Sequence, residues 1–222
     1  IIAANIDQVF LMITLNTPQT FPAFIDRFLV TAQAYEINVV LLFNKIDIYN
    51  KEELNAMTNL KGVYQKIGYE CHEVVATDSK TLDIIDSKMK GKVSMFCGHS
   101  GVGKSTLVNA LSPGLKLKTG MVSKQNQQGQ HTTTFAEMFD LGASRIIDTP
   151  GIKGFGIVGI KPKELSGYFI EFAMLKGGCK FNNCLHTTEP NCAIKEAIEE
   201  GEIAQSRYKS YLQLLEEDSL YR

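Results

Sequence analysis

The chain has 222 residues, 44% of them hydrophobic and 21% charged, enough apolar content for one sizeable core plus a smaller second unit and too much for general disorder. Its 23 Lys and Arg stand against 24 Asp and Glu, a formal charge of -1, which excludes gripping nucleic acid through a large basic excess; no DNA partner is expected. The longest apolar runs, Val9 to Ile13 and Val39 to Phe43, fall far short of the ~20 residues a membrane helix needs, and no basic segment precedes the apolar start, so a soluble, cytoplasmic chain without a membrane partner is expected.

Val9 to Leu15 reads as a strand covered on both faces, and Phe24, Phe28, Ala32 and Tyr35 then recur at helical spacing. Ile37 to Phe43 predicts the next buried strand. A helix follows over about 51–67, with Leu54, Met57, Leu60, Tyr64 and Ile67 on one face and Gly68 as its stop. Then come a strand over Glu70 to Ala76, a short helix over Thr81 to Met89, a strand over Val93 to Cys97, a helix from about Lys104 and a short strand over Ser144 to Ile147. Strand alternating with helix is the grammar of a mostly parallel sheet with helices on both faces. Beyond residue 156 the pattern changes to polar turns and two helical stretches, about 192–200 and 202–217, so the domains are expected at 1–156 and 157–222. Ala204, Tyr208, Tyr211 and Leu215 follow 4, 3, 4 spacing and read as a packing face.

Gly98-His99-Ser100-Gly101-Val102-Gly103-Lys104-Ser105 fits G-x-x-x-x-G-K-[ST] between a predicted strand and a predicted helix, the context that motif needs. Its glycines let successive N–H groups point into one concavity at a helix start, which holds an anionic phosphate chain. Lys104 is expected to reach the β- and γ-phosphates and Ser105 to bind Mg²⁺.

Asn44-Lys45-Ile46-Asp47 stands at the carboxyl end of a buried strand, where ligands of open α/β sheets bind. A carboxylate at Asp47 can accept from the guanine ring N–H and exocyclic amine, Lys45 can lay its stem along the base, and Asn44 can tie the loop to the phosphate loop. Asp47 could instead simply cap the helix that follows. Asp148-Thr149-Pro150-Gly151 offers an acidic group beside Mg²⁺ and a glycine amide facing the γ-phosphate, although turn chemistry alone accounts for the same letters. His131-Thr132-Thr133-Thr134 carries three hydroxyls, one of which could close over Mg²⁺, with Thr133 as the candidate.

Ordinary Ras-like G domains put the phosphate loop first and N-K-x-D last; here Lys45 precedes Lys104, so the G domain is circularly permuted. Five cysteines are present, three of them in Cys179-x4-Cys184-x-His186-x5-Cys192, a Cys₃His set suited to one tetrahedral, structural Zn²⁺. Cys71 and Cys97 lie in strand-like stretches and read as buried thiols without chemical role.

N-K-I-D before G-H-S-G-V-G-K-S-T, then G-Q-H-T-T-T, D-T-P-G and C-x4-C-x-H-x5-C, resembles the RsgA (YjeQ/YloQ) family of small-subunit-dependent GTPases, from Ala4-Asn5-Ile6-Asp7-Gln8 to the last helix. The resemblance implies a permuted G domain followed by a small helical zinc domain, GTP bound and hydrolysed to GDP, and the small (30S) ribosomal subunit with its rRNA as partner during late maturation. It also implies an N-terminal OB-fold upstream of Ile1, adds Thr106 to the phosphate-binding residues, and carries over Ala76 and Thr77 as a second base-contacting loop, although the glycines usual there are missing from Ala76-Thr77-Asp78-Ser79-Lys80. Gln130 stands where the family usually has Arg. Ile152, after Gly151, cannot orient water as the Gln of Ras-type enzymes does, so intrinsic hydrolysis is expected to be slow, with His131 or a ribosomal group completing a catalytic set of Lys104, Ser105 and Asp148. A turn-capping imidazole is the other reading of His131. A monomer is expected. Two other functions fit parts of the pattern: a nucleotide-gated binding module without turnover, and a permuted GTPase acting on the large subunit.

Overall fold

Gln8–Ile13 (β1) is buried at all six residues, so it has no polar face to offer solvent, and a strand of that kind belongs in the middle of a parallel sheet. The computed structural model, which describes residues 5–115, 137–149 and 159–220, places it there. β1 pairs in parallel with Asn38–Asn44 (β2) on one side and with Val93–Cys97 (β4) on the other. Glu70–Val74 (β3) adds in parallel outside β2, Arg145–Asp148 (β6) in parallel outside β4, and Glu137–Asp140 (β5) closes the far edge antiparallel to β6. The order is β3-β2-β1-β4-β6-β5. β5 has no counterpart among the predicted elements; it is an edge strand of four residues, Glu-Met-Phe-Asp, with no buried side chain to give it a pattern.

Two compact units result: Ile1–Thr20 with Ile37–Gly154, and Phe21–Glu36 with Phe155–Arg222. In the first, Phe10 of β1 stacks on Phe96 of β4 at 5.0 Å, a pair worth about 0.5–1.5 kcal/mol beyond its area. The core there joins Met12, Leu42 and Ile146 from the strands to Ile85 and Met89 of Ser79–Met89 (α3) and to Leu107 and Val108 of Lys104–Leu111 (α4). Lys51–Lys66 (α2) buries Met57 and Tyr64 of its predicted face. Its start is a capping box: the Glu53 N–H donates to Asn50 Oδ1 at 2.9 Å and the Asn50 N–H to Glu53 Oε2 at 2.8 Å. Asn50 therefore does the capping that the sequence left open to Asp47.

The second unit gathers Pro22–Ala34 (α1), Pro162–Leu165 (α5), Ile170–Leu175 (α6), Ala193–Glu199 (α7) and Gln205–Leu220 (α8). The sequence put α1 in the first domain by chain order alone. In the structure Val30 of α1 shares a core with Phe169, Phe172, Ile194 and Tyr211, and Asp26 accepts from Arg207 Nη1 at 2.7 Å. Arg207 is buried to 1% exposure; it also grips Glu171 with two N–H groups, at 2.7 and 3.1 Å, and lies 4.6 Å from the Phe169 ring. These buried charges hold their guanidinium well above its ordinary pKa against the cost of burial. No helix among the described residues is long and apolar enough to cross a membrane.

Candidate functional site

The parallel strands β2, β3, β4 and β6 end at the same edge of the sheet, so the loops that follow them are neighbours although they are distant in sequence. The register fixes how closely. Asn44 at the end of β2 lies opposite Val74 of β3, and Asp148 at the end of β6 lies opposite Phe96 of β4, two residues before Gly98.

The phosphate loop leaves β4 through Gly98, at φ +142°, where a Cβ would stand 2.6 Å from the Met12 carbonyl oxygen. It enters α4 through Gly103, at φ +107°, where a Cβ would stand 2.5 Å from Asn44 Nδ2. Only glycine fits either place. Inside the loop the Lys104 ammonium donates to the carbonyls of Gly98 at 2.9 Å and His99 at 3.1 Å, so the chain is wrapped around its own cation. Burial lowers the Lys104 pKa, and the nearby carboxylate of Asp148, itself buried, opposes that shift. Ser105 and Thr106 stand half-buried on the first turn of α4. Thr149 donates to the Phe96 carbonyl at 2.8 Å, which stitches the turn after β6 to β4.

Asn44 ties the two halves together as its motif predicts, with Nδ2 donating to the Val102 carbonyl at 2.8 Å. Lys45 has φ +67°, the left-handed region, which costs a non-glycine residue about 1–2 kcal/mol. Its ammonium donates to the carbonyls of Gly101 at 2.8 Å and Thr17 at 2.6 Å, bridging the phosphate loop and the loop after β1; burial lowers its pKa and Asp47 opposes this. Asp47 is exposed on a single 3-10 turn, Ile46–Ile48. Ala76 is buried and Thr77 exposed in the turn between β3 and α3. That turn is closed without the glycines the family usually has: Asp78 caps α3 by accepting from the Thr81 N–H at 3.1 Å, and Thr81 Oγ1 accepts from the Val75 N–H at 3.2 Å. His131, Thr133 and Gly151, with Gln130 and Ile152, lie outside the described residues. Sequence reasoning missed Tyr49, whose hydroxyl accepts from the Leu15 N–H at 2.8 Å and donates to the Asn44 carbonyl at 2.9 Å. Nothing in the motif N-K-I-D signals it.

In the second unit Cys179, Cys184, His186 and Cys192 bring their ligand atoms within 4.8 Å of one another. Around a tetrahedral ion with usual Zn–S and Zn–N bond lengths, sulfurs are about 3.8 Å apart and sulfur and nitrogen about 3.5 Å. Cys179 Sγ and Cys192 Sγ are 3.9 Å apart, and His186 Nδ1 is 3.6 and 3.3 Å from them, so the spacing of these three donors fits such an ion, with Nδ1 rather than Nε2 facing the sulfurs. His186 stands at φ +58° and its N–H points to Cys184 Sγ at 3.4 Å. Tyr208 and Tyr211 of α8 donate to the carbonyls of His186 and Leu185, both at 2.7 Å, so the predicted packing face also clamps the ligand loop. Glu189 braces it from within. Burial pushes the Glu189 carboxyl up, but the N–H groups of Leu185 and Thr187, its own amide and the Thr187 hydroxyl outweigh burial and bring it down to about 2. The remaining two cysteines are quiet: burial pushes both thiols up to about 12, with Cys97 fully buried and Cys71 only half-buried on its edge strand.

Residues 1–158 match the family described as RsgA GTPase. The small ribosomal subunit biogenesis GTPase RsgA of Flavobacterium johnsoniae is 61% identical over 219 residues, covering 98% of this chain and 67% of that protein. The protein so described in Christiangramia forsetii is 60% identical over 224 residues, covering 100% and 71%. Among solved structures, YjeQ from Thermotoga maritima superposes with a TM-score of 0.82 at 38% identity, over 96% of this chain and 71% of that one. YloQ, described as a circularly permuted GTPase, gives 0.80 at 30%, over 98% and 70%. With phosphate loop, N-K-I-D and buried Asp148 on one sheet edge in permuted order, and relatives this similar along nearly the whole chain, the chain belongs to the RsgA GTPase family.

Proposed function

We propose that this chain binds GTP at the shared edge of its parallel sheet, hydrolyses it to GDP and phosphate, and does so under stimulation by the small ribosomal subunit, whose late maturation it assists. The reading is carried by the convergence of Asn44, Lys45, the phosphate loop and Asp148 through β2, β4 and β6, together with relatives described as small ribosomal subunit biogenesis GTPases. Those names favour the small subunit over the large one and turnover over a silent binding module.

Asp47 accepts from the guanine edge, Lys45 lies along the base, and Ala76 and Thr77 line its other side. Backbone N–H groups of Gly98 to Thr106 hold the phosphates, and Lys104 moves its ammonium from loop carbonyls to phosphate oxygens. Ser105, Thr133 and Asp148 would hold Mg²⁺, whose positive charge would offset the negative charge that develops on the phosphate oxygens. Water adds to the γ-phosphorus, the bond to the β-phosphate oxygen breaks, and GDP departs. Ile152 has no hydrogen-bonding group to orient that water, so His131 or a ribosomal group does so. Gly151 places its amide at the γ-phosphate. The ion of the Cys₃His cluster is zinc, structural in role because four protein donors leave no position for water.

Phosphate release with GTP, alone and with small subunits, tests the reading. Slow release alone and a rise of at least tenfold with small subunits is expected; equal rates under both conditions would contradict it.

A further inference from the structure

Left-handed Lys45 separates two peptide groups, and each is pinned by its own carbonyl. The Lys45 carbonyl accepts from the Ile48 N–H at 3.2 Å, within the 3-10 turn that carries Asp47. The Asn44 carbonyl accepts from the Tyr49 hydroxyl at 2.9 Å. The first bond limits rotation at ψ of Lys45 and the second at φ, so together they hold the residue where its sterics do not favour it. Tyr49 is itself held, since it is 8% exposed and its oxygen accepts from the Leu15 N–H at 2.8 Å, and burial keeps its phenol above the usual pKa and therefore a donor. The loop it leans on is closed on itself: Thr20 Oγ1 accepts from the Thr14 N–H at 3.2 Å and the Thr14 carbonyl from the Thr20 N–H at 2.8 Å. The Tyr49 side chain thus sets the backbone that presents Asp47.

We infer that Tyr49 is a positioning residue for base recognition: its hydroxyl locks the Asn44–Lys45 peptide against the loop after β1, and this lock, through left-handed Lys45, sets the guanine preference of Asp47. The inference rests on Asp47 reading guanine, as proposed above. Tyr49→Phe keeps the ring and removes only the hydroxyl. With the lock gone, the Asn44–Lys45 peptide can turn and Lys45 can relax toward ordinary φ, which moves the turn carrying Asp47.

Inosine diphosphate separates this from a merely structural role, because it keeps the sugar, the phosphates and the ring N–H but lacks the exocyclic amine. Calorimetry on the unmodified protein should show GDP preferred over inosine diphosphate by about tenfold or more, the scale of one hydrogen bond to a charged group. In Tyr49→Phe the preference should fall to within about twofold of unity, GDP losing about tenfold more affinity than inosine diphosphate, which forfeits only the ring N–H contact to Asp47. A preference retained in Tyr49→Phe would overturn the role of Tyr49 and leave the guanine reading standing. No preference for GDP over both inosine diphosphate and ADP in the unmodified protein would overturn the guanine reading and this inference with it. A check that needs no variant is exchange of the Leu15 amide: GDP should slow it several-fold, and equal exchange with and without GDP would likewise overturn the assignment of Tyr49.

Discussion

The two sites of this chain are assembled in opposite ways. Around the phosphate loop, Asn44, Lys104 and Asp148 meet because three strands lie in parallel and end together, so the site is a product of sheet order and of packing tight enough to require glycine at 98, against the Met12 carbonyl, and at 103, against the Asn44 side chain. Around the Cys₃His cluster, four donors sit within one short stretch, and the loop is held by Tyr208, Tyr211 and Glu189 rather than by any sheet. The first arrangement holds its loops through strand order; the second is a local cluster of donors packed beside Phe172 and Tyr211, which the proposed ion would staple. A ligand site built on strand ends should survive local damage elsewhere, and a locally stapled loop should not survive loss of its staple.

The largest expected effect probes how the second unit holds together apart from the metal. Arg207→Ala withdraws the cation shared by buried Asp26 and Glu171 and should cost about 3–5 kcal/mol in denaturant unfolding. A loss below about 1 kcal/mol would mean that α1, α6 and α8 are held by their apolar contacts alone. Next comes the phosphate end of the first unit. Lys104→Ala should lower turnover by about 10²–10³, or about 2.7–4 kcal/mol, through lost charge on the transferring phosphoryl group. Ser105→Ala should lower it too, yet recover in part with excess Mg²⁺, which Lys104→Ala should not; wild-type turnover in Lys104→Ala would break the site assignment.

How far sequence carries depends on whether a structural cause is local. β1 and β2 were legible because strands buried on both faces are written as unbroken apolar runs, and α2 because one face repeats and Gly68 ends it. The Cys₃His cluster was legible from spacing alone. β5 was not, since an exposed edge of four residues has no periodicity to show, and α5 and α6 are too short to complete a pattern. That α1 belongs with the C-terminal helices depends on Asp26 meeting Arg207 across 181 residues. Tyr49 was invisible for the same reason: its partners are two backbone groups that come together only when β1 and β2 pair.

Smaller effects refine the contrast. Asp47→Asn should weaken GDP by about 1.5–3 kcal/mol, by removing a charge-assisted contact, and leave unfolding stability within about 0.5 kcal/mol because Asn50 and not Asp47 caps α2. A stability loss with unchanged GDP affinity would return Asp47 to a structural role. Smallest is Glu189→Gln. The carboxyl lies lower in the folded chain than the usual ~4.3 of an unfolded one, so its stabilisation is complete above about pH 5 and lost as pH falls toward 2. Solvent around this half-buried group screens its charge and keeps the effect small. Wild type and Glu189→Gln, unfolded in denaturant across that range, should differ by under about 1 kcal/mol at pH 6 and converge by about pH 2, whereas a gap independent of pH would show packing rather than charge.

One measurement bears on the contrast itself: GDP affinity followed together with region-resolved hydrogen exchange while a chelator strips the metal. One zinc per chain should leave, exchange over residues 176–192 should accelerate by at least tenfold, and GDP affinity should stay within about twofold, because strand order rather than the ion builds the nucleotide site. Exchange over 176–192 unchanged by metal loss, or GDP affinity falling in step with zinc, would contradict the account.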